Sequence, residues 1–247
     1  MHTERQKALL DIQQSINRKG FFTYIVEGGV DPRFAYTIGL SSKLGYELIF
    51  GGGAYFSNQD VMYIIDKVSQ LIAAPVLPNL PLDFGDNETY FLSEVHPTWC
   101  EKMLLGALDY FGATSLKALQ IQPPRTYWTL DIPNLACGWD PDTELPWQWL
   151  GREDAWKFPL PQNSIALTNI QALQGQKLNQ IVRWSDTEWD CFVGEGSEVP
   201  NNAKRTVPLA IFLALDSPLV YTLLSLKIDQ GAWRENDFSA WEIFQVP

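Results

Sequence analysis

This 247-residue sequence is short of positive charge and of long apolar runs. Its 18 lysines and arginines are outnumbered by 29 aspartates and glutamates, so the formal net charge is −11. The basic residues form no cluster, and an acidic protein repels a phosphate backbone, which argues against a nucleic-acid partner. No apolar run reaches the roughly 18–20 residues needed to cross a bilayer. The charged N-terminal stretch also lacks the apolar core of a signal peptide, so we expect a cytoplasmic protein without a membrane partner.

Cysteine and histidine are scarce as well, which limits the chemistry open to the chain. The three cysteines are widely spaced and form no CxxC, so reduced thiols are expected rather than a disulfide framework. The two histidines, His2 and His96, stand at no zinc-binding spacing from a cysteine, and no metal site is predicted. The acidic run at 140–144 offers oxygen ligands for Ca²⁺, but it lacks the remaining positions and the glycine of an EF-hand loop. A solvated acidic loop is the favoured interpretation.

No complete catalytic constellation is present, since the sequence has no GxGxxG, no P-loop and no nucleophile elbow. One pair of residues stands out, because His96 lies four residues before Cys100. On the first turn of a helix beginning at Pro97, an imidazole at this spacing would activate a thiol. The alternative, which we favour, is that His96 ends a strand as a cap and Cys100 packs in the core.

What the sequence does have is apolar area, with 46% hydrophobic residues, 13 phenylalanines and ten tryptophans. This is enough for a sizeable core. Apolar spacings of three and four predict helices, and runs of β-branched and aromatic residues predict strands. The predicted helices of the first part are 4–19, 58–73 and 97–111, and the predicted strands are 21–26, 34–40, 46–50, 89–95 and 116–121.

These elements predict an α+β fold. Its core is a mixed or antiparallel sheet of five or six strands, flanked by about three helices, and a half-open, split-barrel-like sheet is one form it could take. We place the first domain at 1–130. The segment 131–163 is rich in proline and tryptophan, has no clean period and is interpreted as an ordered connector anchored by its indoles. The remaining residues, 164–247, are predicted to form a smaller α+β unit.

The smaller unit is predicted to contain one hairpin and two helices. The hairpin strands are expected at 181–184 and 189–193, and the helices at 207–215 and 218–226.

Residues 5–160 resemble the bacterial DUF4262 family, a domain of unknown function. The resemblance is carried by PRFAYTIGL at 32–40, GYELIFGG at 45–52, VHPTW at 95–99, DYFG at 109–112 and ALQIQPP at 118–124. It implies the fold of that domain but no activity, and the C-terminal part resembles a small module appended to it. The early strands are also similar to those of split-barrel flavin-binding proteins, which is an analogy of fold alone.

Two functions follow as hypotheses. The first is a non-enzymatic binding or interaction protein with no cofactor. The second is a flavin- or nucleotide-binding enzyme that uses a cleft beside 34–39 and 51–53, where glycines between a strand and a helix would receive a phosphate. Its expected contacts are Arg33 as a cation, Tyr36 as a ring, Thr37 as a hydroxyl donor and Gly52 as a backbone amide. The sequence identifies no ligand, no protein partner and no oligomeric state.

Overall fold

The computed structural model describes residues 4–72, 81–85 and 88–246. Within them the chain forms two six-stranded mixed sheets and eight α-helices, which confirms the α+β class. Neither sheet closes into a barrel within these residues. Two positions considered above, His2 and residue 73 at the end of a predicted helix, lie outside the described residues.

The first sheet occupies the N-terminal half, and it is mixed. Its strands are β1 (Phe22–Val26), β2 (Phe34–Ile38), β3 (Glu47–Gly51), β4 (Pro81–Asp83), β5 (Thr89–Glu94) and β6 (Ala118–Gln122). They lie in the order β1-β2-β3-β6-β5-β4. Only the β3–β6 pair is parallel, and the other neighbours are antiparallel. β2 and β3 lie inside the sheet and are buried along their whole lengths.

Helices cover both faces of this sheet. They are α1 (Glu4–Lys19), α2 (Ser41–Leu44), α3 (Asn58–Leu71), α4 (Pro97–Met103) and α5 (Leu105–Phe111). The apolar stripe of α3 packs on one face, and α1, α4 and α5 pack on the other. A capping box formed by Ser57 and Asp60 starts α3. The predictions of α1 and of the three early strands are also confirmed within two residues.

The single helix predicted at 97–111 is wrong, because the chain breaks it at Leu104. This buried residue has φ −92° and ψ 27°, so it ends α4 and precedes α5. Two residues after the break, the backbone amide of Gly106 lies 3.0 Å from the Tyr36 hydroxyl. A side chain at Gly106 would overlap that hydroxyl, so a close approach of the helix to β2 depends on glycine here.

The second sheet occupies the C-terminal part and is larger than the predicted hairpin. Its strands are β7 (Ile165–Asn169), β8 (Gln180–Arg183), β9 (Glu188–Phe192), β10 (Lys204–Pro208), β11 (Gln230–Trp233) and β12 (Glu242–Gln245). They lie in the order β10-β7-β9-β8-β11-β12, with β7 and β9 parallel. Three helices, α6 (Ile170–Leu173), α7 (Ala210–Leu215) and α8 (Leu219–Ser225), contribute to its core.

The hairpin is confirmed as the antiparallel pair β8–β9. The helix predicted at 207–215 is wrong at its start, because Val207 and Pro208 belong to β10 and pair with β7. Pro208 is the last residue of that edge strand, where a missing amide costs the sheet little.

The segment between the sheets has no α-helix or β-strand from 131 to 163, only short 3₁₀ turns. Its tryptophans anchor it through their ring N–H groups. The indole of Trp147 is fully buried and donates to the Asp131 carbonyl at 2.9 Å, and that of Trp139 donates to the Trp147 carbonyl at 3.2 Å. The indoles therefore fix the backbone of the connector, including the position of Asp131.

Candidate functional site

A cleft with a volume of about 600 Å³ lies between the two sheets. One wall comes from the first half, namely the turn between β1 and β2 and the residues that lead into α3. The other wall is β10 with the start of β7, and Asp131 of the connector lies between them. The cleft therefore depends on all three parts of the chain.

Arg33 supports the first wall by binding the segment 52–58, which we call the clasp loop. Its Nη1 donates to the Phe56 carbonyl at 2.9 Å and to Asn58 Oδ1 at 3.0 Å. Its Nη2 donates to the carbonyls of Gly53 at 2.9 Å and of Gly52 at 3.3 Å. Burial lowers the pKa of Arg33, and the nearby Asp131 carboxylate opposes that shift. The guanidinium therefore holds the clasp loop rather than a ligand.

Asp131 holds the same loop from the opposite side. Its side chain is buried, with 2% of the residue exposed, and accepts from the Ala54 amide at 3.1 Å. Burial raises the pKa of this carboxyl group, while the amide and the Arg33 charge act against the shift. The loop is therefore bound both by the guanidinium of Arg33 and by the carboxyl group of Asp131.

Arg205 of β10 reaches the clasp loop from the second sheet. Its Nε donates to the Tyr55 carbonyl at 2.8 Å, and its Nη1 donates to the carbonyls of Asn202 at 2.8 Å and Lys204 at 2.9 Å. None of the ion pairs found in the described part of the chain involves a residue that lines the cleft. Arg205 thus binds carbonyl oxygens and lies 5.9 Å from the centre of the Tyr55 ring, but it forms no ion pair within the described residues.

Of the four predicted contacts, the structure brings only Arg33 to the cleft. Gly52 belongs to the clasp loop, but its amide donates to the Arg33 carbonyl at 2.8 Å and is already used. Tyr36 and Thr37 lie in the interior of the sheet, with 2% and 0% exposed. The predicted cleft beside 34–39 is not formed, because apolar side chains from helices cover both faces of β2.

The hydroxyl of Tyr36 accepts from the Gly106 amide at 3.0 Å, and burial raises its pKa to about 12. The hydroxyl of Thr37 donates to Glu47 Oε2 at 2.6 Å and accepts from the Leu48 amide at 2.8 Å. Both groups therefore have structural partners and no opening to a ligand.

Glu47 connects the segments AYTIGL and GYELIFGG in the folded chain. Its carboxylate is fully buried on β3 and accepts from Thr37 and from three backbone amides. The amides are those of Gly39 at 3.0 Å, Ser41 at 2.9 Å and Leu40 at 3.3 Å. Burial raises the pKa of Glu47, and these hydrogen bonds oppose the shift. The carboxylate fastens the turn after β2 to the next strand.

The pair His96 and Cys100 is not assembled as a catalytic couple. His96 is exposed and caps α4, where its Nδ1 accepts from the Thr98 amide at 3.3 Å. Cys100 is buried with 2% exposed, and burial raises the pKa of its thiol to about 11. A thiol in that state supplies very little thiolate at neutral pH.

In the described part of the chain, neither acidic residues nor histidines gather into a metal site. Within residues 4–72, 81–85 and 88–246, no group of three or more His, Cys, Asp or Glu side chains is placed to hold an ion. The acidic run at 140–144 forms a turn in which Asp140 Oδ1 accepts from the Asp142 amide at 2.9 Å.

Sequence reasoning missed Arg205 and Asp131. Arg205 lies in a five-residue edge strand, between a basic residue and a polar residue. Asp131 lies in the connector, whose sequence has neither helical nor strand periodicity. Neither belongs to a motif, and only the folded chain brings them to the clasp loop.

Comparison with known proteins adds no relative. No protein-family model, no curated protein and no solved structure matches this chain. In the portion of the chain that the structure covers, no helix combines the length and apolarity required to cross a membrane.

Proposed function

We propose that this chain is a non-enzymatic binding protein that holds a small molecule in the cleft between its two sheets. The observation that carries the proposal is the cleft itself, about 600 Å³ in volume and walled by both sheets and the connector. Ligand sites in proteins have volumes of about 300–1,000 Å³ and lie preferentially where two structural units meet. A cleft of this size at such a boundary fits a metabolite rather than a protein segment.

The absence of assembled catalytic groups in the described residues supports binding over turnover. The candidate nucleophile Cys100 is buried, and the carboxylates of Asp131 and Asp60 accept hydrogen bonds within the clasp loop or the α3 cap. A flavin- or nucleotide-dependent enzyme stays the alternative, and it would use this same cleft rather than β2.

A cytoplasmic location is part of the proposal. The three cysteines, Cys100, Cys137 and Cys191, are all free. Free thiols, one of them exposed, suit a reducing compartment.

Filling the cleft tests the proposal. Thr206 lines the cleft and is exposed on β10, so Thr206→Trp places a large ring in the space. The matched control is Thr114→Trp, which puts the same ring at an exposed position away from the cleft. Native mass spectrometry of the purified proteins is expected to show a bound small molecule in the wild type and in the control, but not in Thr206→Trp.

A thermal-shift screen of metabolites complements this measurement, with the same pattern expected for any compound that stabilises the wild type. A protein that retains its ligand in Thr206→Trp, or that shows no bound molecule and no stabilising compound, would contradict the proposal.

A further inference from the structure

We infer that the ligand carries a phosphate monoester, on a molecule the size of a nucleoside monophosphate, and that Arg205 is the contact for its phosphate. This inference rests on the proposed function, because it specifies the ligand of the same cleft. The inference follows from a comparison of the charged groups that line the cleft, most of which already have a partner within the protein.

Most charged groups of the cleft have partners or point elsewhere. Arg33 and Asp131 balance each other across the clasp loop. Asp60 Oδ2 accepts from the amide and hydroxyl of Ser57 at 2.8 and 2.7 Å, so it serves the α3 cap. The ammonium group of Lys204 lies 5.7 Å from the centre of the Phe192 ring, and Glu27 is exposed at the rim. Arg205 is the cation of the cleft that is fixed by hydrogen bonds and still keeps a terminal nitrogen without an acceptor among the described residues.

Arg205 is held in a fixed orientation and still has donors to offer. Its Nε and Nη1 are used by three carbonyl oxygens at 2.8–2.9 Å, whereas its Nη2 has no acceptor among the described residues. A guanidinium is planar and keeps its positive charge at any physiological pH. Because its orientation is already fixed, it loses little side-chain freedom when Nη2 donates to a phosphate oxygen.

The rest of the cleft supplies an apolar surface beside this charge. Phe56 of the clasp loop, Ile165 of β7, Pro208 of β10 and Ile211 of α7 all line it. A planar base or a similar ring packs on such a surface and removes it from water. The combination of one fixed guanidinium and an apolar wall fits a ligand that has an anionic end and an apolar end.

Because the chain is acidic overall, the positive charge of Arg205 makes the cleft selective for anionic ligands at this point. The chain carries a formal charge of −11 and repels anions in general, so an anionic ligand needs a specific positive group to bind. The arginine supplies that group at one point in the cleft.

Paired ligands test the inference without any variant. We would measure calorimetric affinities of the wild type for AMP and adenosine, and for FMN and riboflavin, with inorganic phosphate and citrate as further probes. At least one phosphate monoester is expected to bind about 10-fold or more tightly than its dephosphorylated partner, because a charge-assisted hydrogen bond is lost. Raising the salt concentration is expected to weaken the monoester and not the neutral compound. If citrate binds more tightly than every monoester, the site is specific for carboxylates and the phosphate assignment is overturned.

Arg205→Gln then tests the residue, with Arg152→Gln as the matched control because Arg152 is exposed and outside the cleft. The expected result is a loss of about 10-fold or more in monoester affinity in the first variant and none in the second. Arg205→Lys keeps the charge without the planar fork. It is expected to bind with intermediate affinity, and it replaces the glutamine variant if that protein does not fold.

The possible failures are distinguishable. Equal affinity for AMP and adenosine, and for FMN and riboflavin, would overturn the phosphate assignment while leaving a ligand in the cleft. Unchanged monoester affinity in a folded Arg205 variant would overturn the assigned residue. Binding of none of these compounds, together with an empty cleft by native mass spectrometry, would remove both the inference and the proposed function.

Discussion

Replacing Glu47 by glutamine is expected to destabilise this protein by weakening the connection between β2 and β3. The carboxylate accepts four hydrogen bonds, two at each oxygen. Three of the donors are backbone amides, and the fourth is the Thr37 hydroxyl, whose position is fixed by a hydrogen bond from the Leu48 amide. In glutamine one oxygen becomes an NH₂ group, which faces two donors and cannot accept from either. The glutamine variant therefore loses two hydrogen bonds, and the other two become weaker because their acceptor is no longer charged.

The magnitude follows from these contacts. A hydrogen bond to a charged group contributes about 1.5–3 kcal/mol, and two are lost. Removing a buried charge returns part of that, since burial disfavours the carboxylate. We expect a net loss of about 3 kcal/mol in the free energy of unfolding, which in a chain of this size lowers the melting temperature by about 6–12 °C.

Urea unfolding followed by tryptophan fluorescence measures the effect, and Glu101→Gln, an exposed glutamate on α4, is the control. Thr37→Val extends the test to a double-mutant cycle, because the two side chains share one hydrogen bond of 2.6 Å. The sum of the single effects should exceed the effect of the double variant by about 1 kcal/mol or more. A Glu47→Gln protein as stable as the Glu101→Gln control would show that the buried carboxylate does not hold the β2–β3 connection.

Two further predictions concern the clasp loop and the thiols. Gly52→Ala should lose about 3 kcal/mol or more, because φ is +65° and a Cβ would overlap the Asp131 carbonyl. Gly112→Ala, with φ +60° and open space, should lose only about 1 kcal/mol in the same urea titration, and equal losses would contradict the steric argument. At pH 8, iodoacetamide should label the exposed Cys137 at least about tenfold faster than Cys100, as read by peptide mass spectrometry. Because burial raises the pKa of Cys100 to about 11, stability from its neutral thiol is present below the ordinary thiol pKa and is lost as pH rises through about 11. Rapid labelling of Cys100 in the folded protein at pH 8 would refute the conclusion that its thiol is buried and neutral.

The sequence was most informative where the signal is local. The helix α3 has a capping box at Ser57 and Asp60 and an apolar stripe at spacings of three and four. Both features can be read from the sequence alone. The early strands were found through their β-branched and aromatic residues. Each of these features depends only on residues a few positions apart.

The second sheet was underestimated because its strands carry weak local signals. β10 reads KRTVP and β12 reads EIFQ, and both are edge strands with charged or polar residues and little alternation. Their pairing comes from tertiary contacts, which no short window of sequence contains. The same limit applies to the cleft, since Arg205 and the Tyr55 carbonyl that it binds are 150 residues apart.

Of the residues that line the cleft, only Pro32 and Arg33 belong to the segments that make this chain resemble a family. Thr37, Gly39 and Glu47 belong to the resembling segments, and their hydrogen bonds fasten β2 to β3 inside the core. Arg205 lies outside residues 5–160, and it binds the clasp loop from the other sheet. A protein that shares only the resembling segments would keep the β2–β3 connection without any need to keep the second wall of the cleft. We therefore expect the identity of residue 205, rather than the presence of these segments, to separate chains that bind an anionic ligand here from chains that share only the fold.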